Sequence, residues 1–266
     1  MERTLARCAL QRRSSARCAS LELFKYRDLS HPDSESLRRL SDILHRNEFW
    51  CARPETLNDP EEFTWQCDYQ PTDETRPLLE KVLIKLREKN PIKARTLAAA
   101  ALSSGLLQEL AEPVFKELID KCRSELGLAC FATSSTNTVM WKRYGGNGAG
   151  VCIKIDVPSQ LLDDHLFLVA YPAVKQLHID QLLHSFLESS QVRHVYSVAL
   201  LSKPPFWAPE AEVRFVSQKQ DVAVRIAGSH ISGLVLGPHL NEYARQGIEE
   251  MVASLGYALP MESRDA

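Results

Sequence analysis

The stretch WAPEAEVRFV, from Trp207 to Val216, contains the pattern that most constrains the fold. Apolar and polar residues alternate from Glu212 to Val216, which predicts a β-strand late in the chain. Because side chains alternate between the two faces of a strand, Glu210, Glu212 and Arg214 are expected to share one face. Two neighbouring carboxylates repel each other, so one of them is expected to have a raised pKa. A carboxyl group with a raised pKa is suited to acid–base chemistry. The alternative is a solvated strand face on which these charges form weak ion pairs.

Hydrophobic periodicity predicts further strands and helices on both sides of this stretch. Strands are expected at residues 21–26, 48–52, 126–133, 151–157, 166–171, 196–201, 222–226 and 231–236. Helices are expected at residues 34–47, 74–89, 92–125, 138–144 and 241–255, with Pro113 interrupting the third of them. Strands and helices do not alternate regularly, so the pattern favours an α+β fold over a doubly wound sheet.

The domain boundaries follow from this assignment. Residues 21–266 are predicted to form a single α+β domain with a helical insert at about residues 74–125, which resembles a lid or a helical subdomain. The first twenty residues contain five arginines, three serines and one acid. That composition is typical of a disordered tail, and a targeting segment is the alternative.

Composition excludes several classes of protein. The formal net charge of -2 gives no electrostatic footprint for nucleic acid, although a local basic groove stays open. Seven cysteines without a CxxC pair, and histidines without an HxxxH or HxH pair, argue against a disulfide scaffold and a metal site. No apolar run reaches the roughly 18–20 residues that cross a bilayer. A cytoplasmic protein with reduced thiols and no membrane partner is expected.

Three shorter motifs are candidates for ligand binding. The glycines of GGNGAG, residues 145–150, follow a predicted helix and precede a strand, the reverse of a phosphate loop, so they predict a flexible turn with a helix C-cap. Trp141 and Tyr144 lie three residues apart on one helix face, where they either stack on a planar ligand or pack in the core. Arg27 ends the first strand, where it either holds a phosphate or carboxylate or forms a surface salt bridge.

Taken in order, these motifs resemble the bacterial "domain of unknown function 2971" family over about residues 21–260. The resemblance rests on FKYR (24–27), RPETLNDPEEF (53–63), ACFATSS (129–135), VMWKRYG (139–145), GVCIKID (150–156), VAYP (169–172), WAPEAEVR (207–214) and GLVLGPHLNE (233–242). The helical insert matches only in kind. A second resemblance, in the order of elements, is to the ADP-ribosyltransferase fold with its small mixed sheets.

The second resemblance implies a function. It assigns Arg27 or Tyr26 to the ribose or phosphates of NAD, Tyr144 with Trp141 to nicotinamide, and Glu212 with Glu210 to catalysis. The Ser/Thr motif of E-x-E enzymes of that fold is not evident in EFWCA, residues 48–52. The expected function is an NAD-dependent ADP-ribosyltransferase that modifies a macromolecular acceptor, protein or nucleic acid, as a toxin, effector or phage-defence protein. The alternatives are a non-catalytic ligand- or partner-binding protein and, third, a Mg²⁺-dependent hydrolase or nuclease that uses Asp59 and the glutamates.

Overall fold

The computed structural model describes residues 20–31, 34–59, 61, 64, 66–86, 90–162, 165–187 and 200–264. Its helices are α1 (Ser34–Arg46), α2 (Thr75–Leu86), α3 (Pro91–Ser103), α4 (Leu107–Glu125), α5 (Thr138–Tyr144), α6 (Ile179–Leu187) and α7 (Glu242–Ala253). Its strands are β1 (Ser20–Arg27), β2 (Glu48–Cys51), β3 (Gln66–Asp68), β4 (Gly127–Ala132), β5 (Val151–Pro158), β6 (Leu166–Leu168), β7 (Gln176–His178), β8 (Glu212–Ser217), β9 (Val222–Arg225), β10 (His230–Leu236) and β11 (Met261–Ser263). The expected tail lies outside the described residues apart from Ser20, as does most of the strand expected at 196–201.

The chain divides into two compact units. The first comprises Met1–Arg53, Leu126–Ala170 and Phe206–Ala266, and the second comprises Pro54–Glu125 and Tyr171–Pro205. The helical stretch expected at about residues 74–125 falls in the second unit. Helices and strands occur together throughout, which confirms the expected mixed fold at the level of an α+β protein with a mixed main sheet.

The first unit is built on a seven-stranded sheet in the order β11-β10-β5-β1-β4-β8-β6. Its strand pairs are antiparallel except for the parallel pair of β10 and β11. The strand β1 pairs along its whole length with β5, whereas its register with β4 is limited to Phe24 opposite Ala132. The two halves of the sheet are therefore joined by a short contact between β1 and β4.

The two faces of this sheet are covered differently. On one face, here called the helical face, apolar side chains of β1, β4, β5, β8 and β10 pack with Leu40 and Ile43 of α1 and with Ala244 and Ile248 of α7. On the opposite face, here called the aromatic face, a smaller cluster packs against α5. This cluster contains Phe24, Tyr26, Ala132, Met140, Trp141, Cys152 and Val235, with Tyr144 packed against it.

The second unit contains α2, α3, α4, α6 and the parallel pair of β3 and β7. Asn90 caps α3, since its side chain accepts hydrogen bonds from the first backbone N–H groups of that helix. The predicted interruption at Pro113 is wrong, because Pro113 lies inside α4 and the break falls at Gly105, whose φ is +69°. Residues 115, 119 and 122 are buried at helical spacing, and this apolar stripe favours a helix that continues past the proline.

The glycine-rich stretch is a turn that begins with the expected helix C-cap, Gly145. It continues from the C-cap of α5 into a 3-10 turn at Gly146–Gly148. Gly146 has φ +57°, and a Cβ there would overlap the carboxylate of Asp28. A Cβ at Gly150 would overlap the backbone carbonyl of Arg27. Close backbone packing against the end of β1 therefore explains these glycines.

Among the described helices, none combines the length and the apolar character needed to cross a membrane.

Candidate functional site

The two glutamates lie on different elements, which corrects the expected shared strand face. Glu210 ends a 3-10 helix over Pro205–Glu210, and Glu212 begins β8. Between them Ala211 has φ +47°, a left-handed conformation that breaks the alternation of side chains. The exposed fractions of Glu210 and Glu212 are 1% and 4%, so the solvated strand face is also wrong. Both carboxylates are buried and need partners.

Side chains of α5 supply the partners of Glu210. Its Oε1 accepts a hydrogen bond of 3.0 Å from Nη1 of Arg143 and one of 2.8 Å from the hydroxyl of Tyr144. The guanidinium of Arg143 also stacks over the ring of Trp207, 4.4 Å from its centroid. Arg143 is thereby held between the carboxylate and the indole, and the carboxylate of Glu210 is fixed in one orientation.

Asn137 connects α5 to the segment that contains Glu210. Its Oδ1 accepts hydrogen bonds from the backbone N–H groups of Val139 and Met140, which caps the helix. Its Nδ2 donates to the carbonyl of Pro209 over 2.6 Å. One side chain thus sets the start of α5 and the position of the residue before Glu210.

Glu212 forms a buried ion pair with Arg214 on β8. The Nε of Arg214 donates to Oε1 over 2.8 Å, and Nη2 contacts Oε2 at 3.4 Å. The side chains are 4% and 0% exposed. The neighbouring strand places Cys130 opposite Arg214, and burial, followed by the charge of Glu212, raises the pKa of the Cys130 thiol to about 12. The thiol is therefore protonated, and Arg214 is the counter-charge that makes burial of Glu212 tolerable.

The aromatic residues are enclosed and hydrogen-bonded. The rings of Tyr26 and Trp141 meet edge to face at 5.2 Å. The indole N–H of Trp141 donates to the carbonyl of Ser135, and the hydroxyl of Tyr26 donates to the carbonyl of Ser134. Burial raises the pKa of Tyr26 well above its ordinary value. With 2% of its surface exposed, Trp141 matches the core-packing interpretation, whereas Tyr144 is only partly buried.

The sheet brings five of the six predicted site residues into one region. Phe24 lies opposite Ala132, which lies opposite Glu212, so these three positions share the aromatic face. Tyr26 belongs to the same face, and α5 brings Trp141 and Tyr144 to it, with Glu210 bonded to Tyr144. The exception is Arg27, the last residue of β1.

Arg27 projects from the helical face. It lies opposite Val151 of β5, which belongs to the core of that face, whereas Tyr26 lies opposite Cys152 of the aromatic cluster. Lys25, two residues earlier, shares the face of Arg27. Its Nζ donates to the carbonyl of Cys130 over 2.7 Å. Arg27 is therefore separated by the strand itself from the aromatic residues with which the resemblance groups it.

Sequence reasoning missed the roles of Arg143 and Lys25. Both belong to motifs that were recognised, but their partners lie on distant segments. The pair of Arg143 and Glu210, for example, spans 67 positions. Asn137, directly before the predicted helix at 138–144, carries a capping signal that the structure confirms, whereas its hydrogen bond to the carbonyl of Pro209 has no signal in the sequence.

Asp59, the residue of the Mg²⁺ alternative, belongs to the second unit. It is buried, and its Oδ1 accepts a hydrogen bond from the backbone N–H of Glu61. Within the part of the chain that the structure describes, no group of three or more His, Cys, Asp or Glu side chains is arranged to hold a metal ion.

No protein-family model, no curated protein and no solved structure matches this chain.

Proposed function

We propose that the chain is an ADP-ribosyltransferase-like enzyme that cleaves NAD at the nicotinamide bond and transfers ADP-ribose to a macromolecular acceptor. The observation that supports this function best is that two buried glutamates lie in the same region as three aromatic residues: Glu212 projects from the aromatic face of the sheet, and Glu210 is bonded to Tyr144. Cleavage of NAD develops positive charge on a ribose and releases a planar base. A carboxylate stabilises the charge, and aromatic rings bind the base.

Each residue has a separate part in this proposal. Glu212 stabilises the positive charge that develops on the ribose as the bond to nicotinamide breaks. Nicotinamide leaves with the electron pair of that bond, and an acceptor oxygen or nitrogen forms the new bond to the same carbon. Glu210 takes the proton that the acceptor loses. Tyr144 and Arg143 are positioning residues, because they hold the Glu210 carboxylate.

The aromatic residues would contact the base and its ribose. Tyr144 is the best placed of them, since it is partly exposed and bonded to Glu210. Trp141 and Tyr26 would support Tyr144 from behind, because their own rings and polar atoms are already engaged.

A second candidate, a non-catalytic ligand- or partner-binding protein, is favoured by one specific observation. Both glutamates are almost fully buried and each is paired with an arginine, as expected of residues that organise a core. In that case, Glu210 and Glu212 stabilise the fold and take no part in a reaction.

Nicotinamide release from NAD by the purified protein distinguishes the two candidates. Wild type is compared with Glu212→Gln and with Arg214→Met, each checked by circular dichroism to be folded at the assay temperature. Arg214→Met is a matched control because it breaks the same ion pair and keeps the carboxylate. We expect Glu212→Gln to lower turnover about 100-fold or more, the usual effect of removing a group that stabilises transition-state charge. We expect Arg214→Met to lose less turnover than Glu212→Gln, because it keeps the Glu212 carboxylate, although without its counter-charge.

Two results would reject the enzyme. One is the absence of nicotinamide release by wild type, with or without cell extract as the source of acceptor. The other is an equal loss of turnover in Glu212→Gln and Arg214→Met that follows their loss of folded protein. Either result favours the binding protein.

A further inference from the structure

A cavity of about 800 Å³ lies beside the start of β10. It is bordered by the end of α1 (residues 44–47), the turn from β9 into β10 (225–229), the first residues of β10 (230–232) and the segment that follows α7 (254–260). All four segments belong to the first unit. Sites for small molecules typically have volumes of roughly 300–1,000 Å³, so this cavity is large enough to hold one.

This cavity is separate from the glutamate cluster. Its apolar wall includes Leu44, Ile231 and Leu259, which belong to the core of the helical face. The glutamates are associated with the aromatic face, and neither they nor the residues of the aromatic cluster line the cavity. A ligand that carries a hydrocarbon group would remove that group from water against this wall.

Asn47 lines the cavity and carries an acceptor atom without a partner. Its Nδ2 donates to the carbonyl of Ser229 over 2.7 Å and to the hydroxyl of the same residue over 2.9 Å. Because a carbonyl only accepts hydrogen bonds, this contact fixes which atom of the Asn47 amide is nitrogen and which is oxygen. Oδ1 is buried and has no hydrogen-bond partner among the described residues. This oxygen therefore requires an N–H or O–H donor.

Ser232 provides a second polar atom of this kind in the same cavity. The register of β10 with β5 shifts between Ile231 and Gly233, so Ser232 is the extra residue of a β-bulge. Its Oγ is buried and has no partner within the part of the chain that the structure describes. Bulges change the direction of a side chain and are common beside functional sites. Two such atoms on residues that line one cavity indicate a ligand that hydrogen-bonds to both.

The charged side chains that line the cavity are cationic. They include Arg46 and Arg225, and no Asp or Glu is among the described residues that line it. Arg225 lies opposite Glu48, the neighbour of Asn47. Its Nε donates to the carbonyl of Arg46 over 2.7 Å and lies 4.0 Å from the carboxylate of Glu48. Both contacts use Nε, so the two Nη groups form a fork that is available to a carboxylate.

We propose that this cavity binds a small carboxylic acid of the N-acylated amino acid class with an apolar side chain. Arg225 pairs with the carboxylate, Oδ1 of Asn47 accepts the amide N–H, and the hydroxyl of Ser232 donates to the acyl oxygen. The side chain of the ligand packs against the apolar wall. One molecule of this class supplies all four groups. This binding activity goes beyond ADP-ribosyl transfer, and the cavity can be occupied while the glutamate cluster is empty.

Isothermal titration calorimetry of the full chain with three matched ligands tests the site at pH 7 and constant ionic strength. N-acetylleucine carries every group, N-acetylleucinamide lacks the carboxylate, and 4-methylpentanoate keeps the carboxylate and the hydrocarbon but lacks the acylamino group. We expect wild type to bind N-acetylleucine saturably. We expect it to bind the other two about five- to tenfold more weakly, because each has lost hydrogen bonds to the site.

Two variants assign the contacts, and each is checked by circular dichroism to be folded. Arg225 is 68% exposed, so Arg225→Met should fold normally, and it should bind N-acetylleucine no better than N-acetylleucinamide. Ser232→Ala should weaken binding of N-acetylleucine and leave binding of 4-methylpentanoate unchanged, because that ligand has no acyl oxygen. The control is Arg38→Met, which removes an exposed arginine of α1 outside the cavity and should bind as wild type does.

An acylated leucine also occurs at the C-terminus of a peptide, and acetyl-Gly-Gly-Leu separates the two sources. We expect it to bind no more tightly than N-acetylleucine. Binding that is tighter by about tenfold or more would assign the cavity to the C-terminus of a protein and overturn the small-molecule assignment.

The proposal is overturned if wild type shows no saturable binding of N-acetylleucine up to about 10 mM, a concentration that reveals even millimolar affinity. It is equally overturned if Arg225→Met distinguishes N-acetylleucine from N-acetylleucinamide as strongly as wild type does. Neither result bears on nicotinamide release, so failure of this site and failure of the enzyme proposal are distinguishable.

Discussion

Breaking the buried ion pair between Glu212 and Arg214 is expected to lower the free energy of unfolding by about 3–5 kcal/mol. The two side chains are 4% and 0% exposed and are joined by a hydrogen bond of 2.8 Å. In Arg214→Met the carboxylate of Glu212 stays buried without its counter-charge. In Glu212→Gln the guanidinium of Arg214 stays buried without its counter-charge. Each single variant therefore carries the cost of one buried charge with reduced compensation.

The magnitude can be isolated with the double variant. The double variant Glu212→Gln with Arg214→Met has no ionised member of the pair. Its loss of unfolding free energy should therefore be smaller than the sum of the losses in the two single variants, by about 2 kcal/mol or more. Arg38→Met serves as the control, because the ion pair that it breaks is exposed: the side chain of Arg38 is 56% exposed and that of Glu35 is 49% exposed. Solvent screens such a pair, and the urea midpoint of this variant should hardly change.

Urea denaturation at pH 7, followed by circular dichroism, measures all four variants and wild type. The slope with urea must stay the same for the midpoints to report stability. Additive losses in the double variant, or single losses below about 1 kcal/mol, would refute the reasoning, because charges that are buried and coupled cannot behave independently.

Two further predictions concern stability. Gly150→Ala is expected to lower the urea midpoint strongly, since its Cβ would overlap a backbone carbonyl of β1. Gly247 lies in α7 with open space around it, so Gly247→Ala is expected to raise the free energy of unfolding by about 0.5–1 kcal/mol. Burial lowers the pKa of Lys25 to about 8 in the folded chain, from an ordinary value of 10.5. Between these pH values the unfolded chain binds more protons, so the stability of wild type relative to Lys25→Met should rise as pH increases from about 8 to 10.5 in urea titrations. A difference that is flat or falls over this window would contradict the assigned burial of the ammonium.

Local patterns were sufficient to predict most of the elements that build the first unit. The alternation in residues 151–157 and the apolar run in 231–236 predicted β5 and β10 to within two residues. Asn241 predicted the start of α7 and is its cap. These elements follow from periodicity and capping, which depend only on neighbouring residues.

The arrangement around Glu210 could not be predicted in the same way. Regular alternation implied that Glu210 and Glu212 share a face, but Ala211 adopts a left-handed backbone that few residues other than glycine favour. No local pattern marks an alanine for that conformation. The packing of Trp207 and the hydrogen bond of Asn137 to the preceding segment supply the constraint, and both depend on tertiary structure.

The surroundings of the charged residues at the end of β1 could not be predicted either. Lys25 and Arg27 have the composition of a solvated strand end, and a surface salt bridge was a natural interpretation of Arg27. The surroundings of Lys25 depend on the carbonyl of Cys130 in β4, 105 positions away, and the charges of Glu35 and Arg39 in α1 act on Arg27. Burial of charge is a property of the assembled sheet, so sequence periodicity alone cannot reveal it.

The edges of the seven-stranded sheet have a practical consequence. Both edge strands, β6 and β11, are only three residues long, so each offers few free backbone groups to a neighbouring molecule. Trimming the chain before Met261 would uncover the seven-residue strand β10, which pairs with β11 through Leu234–Leu236. A long uncovered edge invites intermolecular strand pairing, so the three residues of β11 shield β10 from such pairing and should be left intact when fusion partners are attached.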